Sequence, residues 1–134
     1  MPRGAVPDRY HDLLEGTGLG HLATVDANGR PQVNPVWFLW DSAGESILLS
    51  IKAETRKLRN LRGNPHVAMS FSDPARPDRY LEIRGTATEF ELFDTIAWVN
   101  VLARKYTGAD FAHGADGEHR YKVTIRVDSW TAQN

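Results

Sequence analysis

A turn between two strand-like runs is the feature that most constrains the fold of this chain. The runs "LGHLATV" (19–25) and "RPQVNPVWFLW" (30–40) flank the segment "DANG". Asn28 and Gly29 readily adopt the positive-φ conformations that a tight hairpin needs. The sequence therefore predicts an antiparallel hairpin near the start of the chain.

Further strands and short helices are predicted along the rest of the chain. Alternating or short apolar runs predict strands at 46–51, 66–73, 79–90 and 120–130, with "DSAGE" (41–45) as a second hairpin loop. Gly85 inside one of these runs predicts a bulge or a close backbone approach. Helices are predicted after Pro7, from about Thr55, and over 93–107. Six antiparallel strands with short helices indicate a mainly β (α+β) barrel, which we expect to form one domain over 1–134.

Composition excludes several classes of function. The 16 basic and 17 acidic side chains leave a net charge near −1, which argues against a nucleic-acid partner. The chain has no cysteine, so a thiolate nucleophile and an iron–sulfur centre are excluded. No apolar run reaches the roughly 20 residues of a membrane span, and the N-terminus does not resemble a signal peptide. We therefore expect a cytoplasmic protein without a membrane span.

Positive charge is concentrated in one short stretch, "SIKAETRKLRNLRGNP" (50–65). A helix that begins near Thr55 would carry Arg56 and Lys57 in its first turn, where the backbone dipole is already positive. A bound phosphate or carboxylate would make that arrangement favourable, and Lys52 lies just upstream. Two interpretations stay open at this point: a solvated basic helix face or an anion site.

Two prolines interrupt the run at 30–40. Because proline cannot donate to a β-ladder, Pro31 and Pro35 predict that part of this strand lies at a sheet edge or a bulge. Backbone groups around Asn34 and Val36 would then be available to a flat heteroaromatic ring. The aromatic residues Trp37, Phe38 and Trp40 fit either contact with such a ring or burial in the core.

Other patterns point to no further chemistry. The segment "HGADGEH" (113–119) contains metal-ligating residue types but lacks helical ligand spacing, so we interpret it as a polar loop and predict no metal site. Glycines do not form a dinucleotide fingerprint, and no serine lies in a nucleophile elbow. The five histidines are scattered, so no catalytic residue is assigned.

The segments "LATVDANGRPQVNPVWF" and "TRKLRNLRGNP" closely resemble the flavin/deazaflavin oxidoreductase family, which has the split β-barrel of the pyridoxamine 5′-phosphate oxidases. The resemblance extends from the first helix to the last strand. Among the subgroups, the chain is most similar to actinobacterial members that use the deazaflavin coenzyme F420 rather than FMN.

This resemblance implies a cofactor site and a mechanism. It implies that the cofactor phosphate is held by three cations, that its ribityl chain follows the end of one strand, and that its ring lies on the proline-containing strand. The residues so implied are Lys52, Arg56 and Lys57; Ser50 and Ile51; and Gln32, Val33, Asn34, Pro35 and Val36. It also implies a homodimer in which Arg79 and Tyr80 complete the partner's site. Hydride transfer to a small conjugated electron acceptor would be the reaction.

Two alternatives remain. An FMN-dependent pyridoxamine-phosphate-oxidase-like enzyme would need a second anion site for its substrate, and the ending "VTIRVDSWTAQN" lacks the Arg- and His-containing terminus expected of one. A non-catalytic carrier of a flavin or deazaflavin would have the site for the cofactor tail but no open acceptor pocket over the ring.

Overall fold

The computed structural model describes residues 2–93, 97–110 and 119–134. Seven strands form one sheet in which every pairing is antiparallel, and the hydrogen-bonded order is β2-β1-β5-β6-β7-β4-β3. The strands are β1 (Gly20–Val25), β2 (Pro31–Val36), β3 (Leu39–Asp41), β4 (Ser46–Lys52), β5 (His66–Asp73), β6 (Arg76–Phe93) and β7 (Arg120–Gln133). The helices are a 3-10 turn (Asp8–Tyr10), α1 (His11–Glu15), α2 (Arg56–Gly63) and α3 (Ala97–Thr107).

The predicted first hairpin is confirmed, with a different turn. Of the two residues expected to have a positive φ, Gly29 has one, of 80°, and Asn28 does not. The Gly29 N–H donates to the Asp26 carbonyl, and the Asp26 carboxylate accepts from the backbone N–H groups of Asn28 and Arg30. A longer turn that ends in a left-handed glycine therefore replaces the two-residue turn expected from Asn28 and Gly29.

The run at 30–40 is two strands, where one was predicted. β2 and β3 lie at opposite ends of the sheet order, yet only Trp37 and Phe38 separate them along the chain. Three Cα–Cα steps span at most roughly 11 Å, so the two ends of the sheet must lie close together. The sheet is therefore curled into a barrel, and Trp37 and Phe38 connect its two end strands. As the prolines predicted, β2 is an edge strand.

Residues of helix α3 hold the segment between β2 and β3 in place by hydrogen bonds. Phe38 is completely buried, and its ring packs against Phe71 at a centroid distance of 4.8 Å. The Tyr106 hydroxyl accepts from the Phe38 N–H at 3.3 Å and donates to the Gly18 carbonyl at 3.2 Å. Lys105 Nζ donates to the Phe38 carbonyl at 2.8 Å, and burial lowers the Lys105 pKa to about 8. Phe38 is therefore core rather than a contact for a cofactor ring.

The predicted alternation of the long strands is confirmed. Leu81, Ile83 and Ala87 of β6 face the core, and so do Val123 and Ile125 of β7. On α3, the predicted apolar stripe is buried at Val99, Leu102 and Ala103. Its first member, Ile96, lies outside the described residues.

Gly85 lies at a bulge where two strands approach closely, as its position inside a strand predicted. The β6–β7 register shifts between Arg84 and Gly85. A Cβ at this position would meet the Arg126 carbonyl oxygen at 2.6 Å and Ile125 Cγ2 at 2.7 Å. The two strands can approach this closely only where one of them carries no side chain.

Arg79 ties the N-terminal helix to the β5–β6 hairpin. Its guanidinium donates to both carboxylate oxygens of Asp12, at 2.8 and 3.0 Å, to Asp73 at 3.1 Å and to the Arg9 carbonyl at 2.9 Å. The Arg79 hydrogen bond is the main cause of the lowered Asp12 pKa. The Asp73 pKa is lowered chiefly by the Ala75 backbone N–H, with Arg79 adding to the effect. Within its own chain, the Arg79 guanidinium therefore has a structural role, because it links the N-terminal helix to the β5–β6 hairpin.

We expect Arg79→Gln to lower the melting temperature at pH 7 and to flatten its acid dependence. A depressed carboxyl pKa stabilises the fold above the unfolded value near 3.8, and this contribution is lost as pH falls through the folded pKa. Thermal denaturation between pH 7 and pH 3 measures both effects. Arg84→Gln, at an exposed position on β6, is the control. Equal melting curves for the two variants would contradict a stabilising role for the Arg79 ion pairs.

Candidate functional site

The basic helix begins where the sequence predicted. Thr55 caps α2: its hydroxyl accepts from the Leu58 N–H at 3.4 Å and donates to the Lys52 carbonyl at 2.9 Å. Glu54, immediately before the cap, has a φ of 68°, an unfavourable left-handed conformation for a residue other than glycine. The end of β4 and the start of α2 are thus held against each other by a tight, strained connection.

Three cations from three elements meet at this connection. Lys52 ends β4 and lies directly opposite Arg120, the first residue of β7. Lys57, in the first turn of α2, is half-buried, and its pKa is lowered first by burial and second by the positive charge of Arg120. Burial and a neighbouring positive charge therefore both disfavour the charged form of Lys57.

Ser50 supplies a polar group beside these cations. It lies two residues before Lys52, so both project from the same face of β4, whereas Ile51 between them is buried in the core. The Ser50 hydroxyl is shielded from solvent and has no hydrogen-bond partner in the described part of the chain. A buried hydroxyl without a partner is costly, so this position suits a ligand that can hydrogen-bond to it.

The predicted ring-binding residues divide between the two faces of β2. Gln32, Asn34 and Val36 are partly buried, whereas Val33 and Pro35 are exposed on the other face, Val33 by 63%. Because β2 is an edge strand, its outer backbone groups are not needed for the ladder. The side chains of these five residues therefore cannot all meet one ring, although the strand backbone can.

Asn60, which sequence reasoning missed, connects β2 to the basic helix. It is buried, and its Nδ2 donates to Thr24 Oγ1 at 3.1 Å and to Gln32 Oε1 at 3.3 Å. Gln32 in turn donates to Asn34 Oδ1 at 2.9 Å. Asn60 lies one helical turn after Arg56, so the network brings β2 within about one turn of the start of α2. No local pattern marks this polar residue as buried, because its partners lie 36 and 28 residues away.

A cleft of about 710 Å³ opens on this side of α2. It lies between the helix and the turn that joins β1 to β2, and Arg56 and Arg59 contribute its basic lining. Arg59 Nη1 also donates to the Glu54 carbonyl at 3.0 Å. Arg62 is directed elsewhere, because its guanidinium lies over the rings of Phe90 and Tyr121 at 5.1 and 4.7 Å. Arg56 and Arg59 therefore line the cleft, whereas Arg62 packs on aromatic rings outside it.

Comparison with known proteins identifies the family. A family model described as pyridoxamine 5′-phosphate oxidase matches residues 6–131. The chain belongs to the pyridoxamine 5′-phosphate oxidase family. The split β-barrel expected from the sequence is thereby confirmed.

Two solved structures and a curated protein resemble the chain to different degrees. A protein described as an F420 reductase has 40% sequence identity and a TM-score of 0.86, with 94% of this chain and 98% of that chain covered. The haem oxygenase HutZ of Vibrio cholerae serotype O1 is 33% identical over 105 residues, which are 72% of this chain and 55% of HutZ. The chain thus spans about half the length of that curated relative. A conserved hypothetical protein of Mycobacterium tuberculosis, Rv2991, has 22% identity and a TM-score of 0.73, with 98% of this chain and 86% of that chain covered, which shows the fold alone.

Membership of the oxidase family and the reductase neighbour together support an oxidoreductase of the flavin or deazaflavin class. The flavin/deazaflavin split-barrel resemblance stated from the sequence is confirmed. In the described ranges, no three His, Asp or Glu side chains are grouped so that they could hold a metal ion. Residues 111–118, which include most of "HGADGEH", lie outside those ranges. No described helix has the length and apolarity needed to cross a bilayer.

Tyr80 lies far along the β6–β7 ladder from the predicted phosphate-binding residues of the same chain. It pairs with Gln133 near the end of β7, whereas Arg120 at the start of β7 pairs with Phe93. Thirteen residues separate the two positions, or about 40 Å along the strand. That Tyr80 completes the site of a second copy stays a prediction.

Proposed function

We propose that the protein is a coenzyme F420-dependent oxidoreductase that acts as a homodimer. The observation that carries the proposal is Lys57, a half-buried cation held beside the positive charge of Arg120 and close to the end of β4. An anionic cofactor group would offset the cost of burying the Lys57 charge. The 40% identical F420 reductase supports the choice of cofactor class.

The chain's own residues fit such a cofactor. Lys52 and Lys57 would hold its phosphate by charge-assisted hydrogen bonds, with Arg56 approaching from the cleft side. The buried Ser50 hydroxyl would gain the partner it lacks by bonding to the ribityl chain. Ile51 would contribute backbone only, because its side chain is in the core.

Strand β2 would orient the ring. Its free edge offers backbone groups of Asn34, Pro35 and Val36 to the polar rim of a flat heterocycle. The network from Asn60 through Gln32 fixes this strand relative to α2 and therefore relative to the phosphate site. When bound, the reduced deazaflavin supplies a hydride for a small conjugated acceptor, such as a conjugated carbonyl, a quinone or a tetrapyrrole.

The cleft offers a way to distinguish F420 from FMN by experiment. F420 carries an acidic tail beyond its phosphate and FMN does not, so only F420 would reach Arg59 in the cleft. We expect Arg59→Gln to weaken F420 binding roughly two- to fivefold, as for an exposed ion pair, and to leave FMN binding unchanged. Fluorescence titration of both cofactors measures this, with Arg62→Gln as the control because Arg62 stacks on Phe90 and Tyr121. Equal loss for both cofactors would contradict a tail contact at Arg59.

The same titrations separate the alternatives. Tight binding of FMN with no binding of F420 would favour an FMN-dependent enzyme. Binding of F420 without turnover of quinone or enone acceptors would favour a carrier. Because a haem oxygenase is among the relatives, hemin is a third titrant. Binding of hemin alone would overturn the proposal.

A further inference from the structure

The Ser50 hydroxyl belongs to the proposed ribityl site, yet it is closed to solvent. Its oxygen is fully shielded and makes no hydrogen bond within the part of the chain that the structure describes. A buried hydroxyl without a partner is unfavourable, and a ligand can satisfy it only by reaching it. The group that covers Ser50 in the ligand-free protein must therefore move before a ribityl chain can bind there.

Two side chains meet beside Ser50. Lys122 of β7 lies directly opposite Ser50 in the β4–β7 ladder, so both side chains project from the same face of the sheet. Trp98 of α3 is buried, and its Nε1 donates at 3.0 Å to the carbonyl of Leu49, the residue before Ser50. Lys122 Nζ lies over the Trp98 ring, 4.9 Å from its centroid. The Lys122 side chain therefore extends from β7 toward an indole that is anchored next to Ser50.

Lys122 is the one of these two side chains that can move easily. It is only partly buried, it has a long flexible stem, and a cation–π contact at a partly exposed site is weak. Trp98 is 6% exposed and is hydrogen-bonded to the backbone of β4. Lifting Lys122 off the indole breaks a weak contact, whereas moving Trp98 would break a buried hydrogen bond and expose its ring.

We propose that the Lys122 side chain is a movable cover over Ser50, which leaves the Trp98 ring when the ribityl chain of the cofactor binds. This inference rests on the proposed function, and it adds a conformational step to cofactor binding. In the ligand-free protein the cover keeps water away from the Ser50 hydroxyl. In the complex the ribityl chain replaces the Lys122 stem, and the hydroxyl gains a hydrogen-bond partner.

Thiol labelling tests the cover without any cofactor. The chain has no cysteine, so Ser50→Cys places one thiol at the covered position. We expect this thiol to react slowly with a small aromatic disulfide, and the added substitution Lys122→Ala to raise the rate roughly tenfold or more. Loss of a positive charge near a thiol by itself slows this reaction, so an increase reports access. A rate that Lys122→Ala does not raise would overturn the inference.

The matched control combines Ser50→Cys with Arg126→Ala. Arg126 lies on the same face of β7, four residues farther along, where its exposed guanidinium is paired with Asp128 at 2.8 Å. Shortening this side chain should change the labelling rate less than roughly twofold, because it does not reach Ser50. An equal increase in both double variants would show general loosening of the strand and would contradict a cover formed by Lys122.

NMR of the wild-type protein follows the cover during cofactor binding. Because Lys122 Nζ lies over the Trp98 ring, the signals of its terminal methylene group should be shifted upfield in the ligand-free protein. We expect this shift to disappear on saturation with F420 or FMN. A bound cofactor that leaves the upfield shift in place would overturn the inference and leave the proposed function intact. If neither cofactor binds, the proposed function fails, whereas the labelling rates still decide whether Lys122 covers Ser50.

Discussion

Lys57→Met should weaken F420 binding about 10- to 150-fold, equivalent to about 1.5–3 kcal/mol. Methionine keeps the apolar stem of Lys57 in its half-buried position and removes only the charge. Because burial and the Arg120 charge already disfavour a cation there, the ligand-free protein should become no less stable. Isothermal titration with F420, together with thermal denaturation of the ligand-free protein, measures both effects.

Lys57→Arg is the matched control, because it keeps the positive charge and should retain most of the affinity. The pH dependence gives a further check. The Lys57 pKa is lowered in the free protein, and a bound phosphate should raise it. The contribution of Lys57 to binding should then be complete below the free-protein pKa and lost as pH rises through the pKa of the complex. Equal affinity of wild type and Lys57→Met at pH 7 would remove Lys57 from the site.

Gly85→Val should be the most destabilising single substitution among those considered, by about 3 kcal/mol or more. Any side chain at this position would overlap the Arg126 carbonyl at 2.6 Å and Ile125 Cγ2 at 2.7 Å, and Ile125 is completely buried. The strands β6 and β7 would have to separate where they carry the longest ladder of the barrel. Urea denaturation gives the free energy of unfolding.

Gly63→Ala is the control for this prediction. Gly63 ends α2, has no atom within 4 Å of the position that a Cβ would take, and does not have a positive φ. Alanine there should be neutral or stabilising by about 0.4–1 kcal/mol, because it restricts the unfolded chain. A Gly85→Val protein as stable as Gly63→Ala would show that the bulge tolerates a side chain.

Local chemistry made much of the fold predictable. The alternation of β6 and β7, the proline-marked edge strand, the Thr55 start of the basic helix and the close approach at Gly85 each depend on a few neighbouring residues. The strand-like run at 30–40, which is apolar from Pro35 to Trp40, hid the break between β2 and β3. That break is set by burial of Phe38, by the hydrogen bond that its N–H donates to Tyr106 and by the one that its carbonyl accepts from Lys105; these partners lie 68 and 67 residues away.

The site was only partly predictable for the same reason. Lys52, Arg56 and Lys57 lie within six residues, so their clustering is visible in the sequence. Arg120 joins Lys52 only through the β4–β7 register, and Asn60 meets Gln32 only because α2 packs near β1 and β2. Contacts of this kind depend on tertiary pairing rather than on local pattern. That residues 1–134 form one domain and that the protein is a cytoplasmic homodimer stay predictions.

A crystal structure of the protein with F420 tests the central claim most directly. We expect the phosphate within roughly 3 Å of Lys52 Nζ and Lys57 Nζ, and the ring along the backbone of β2 from Asn34 to Val36. Density for the phosphate away from the β4–α2 connection, with the ring off β2, would contradict it.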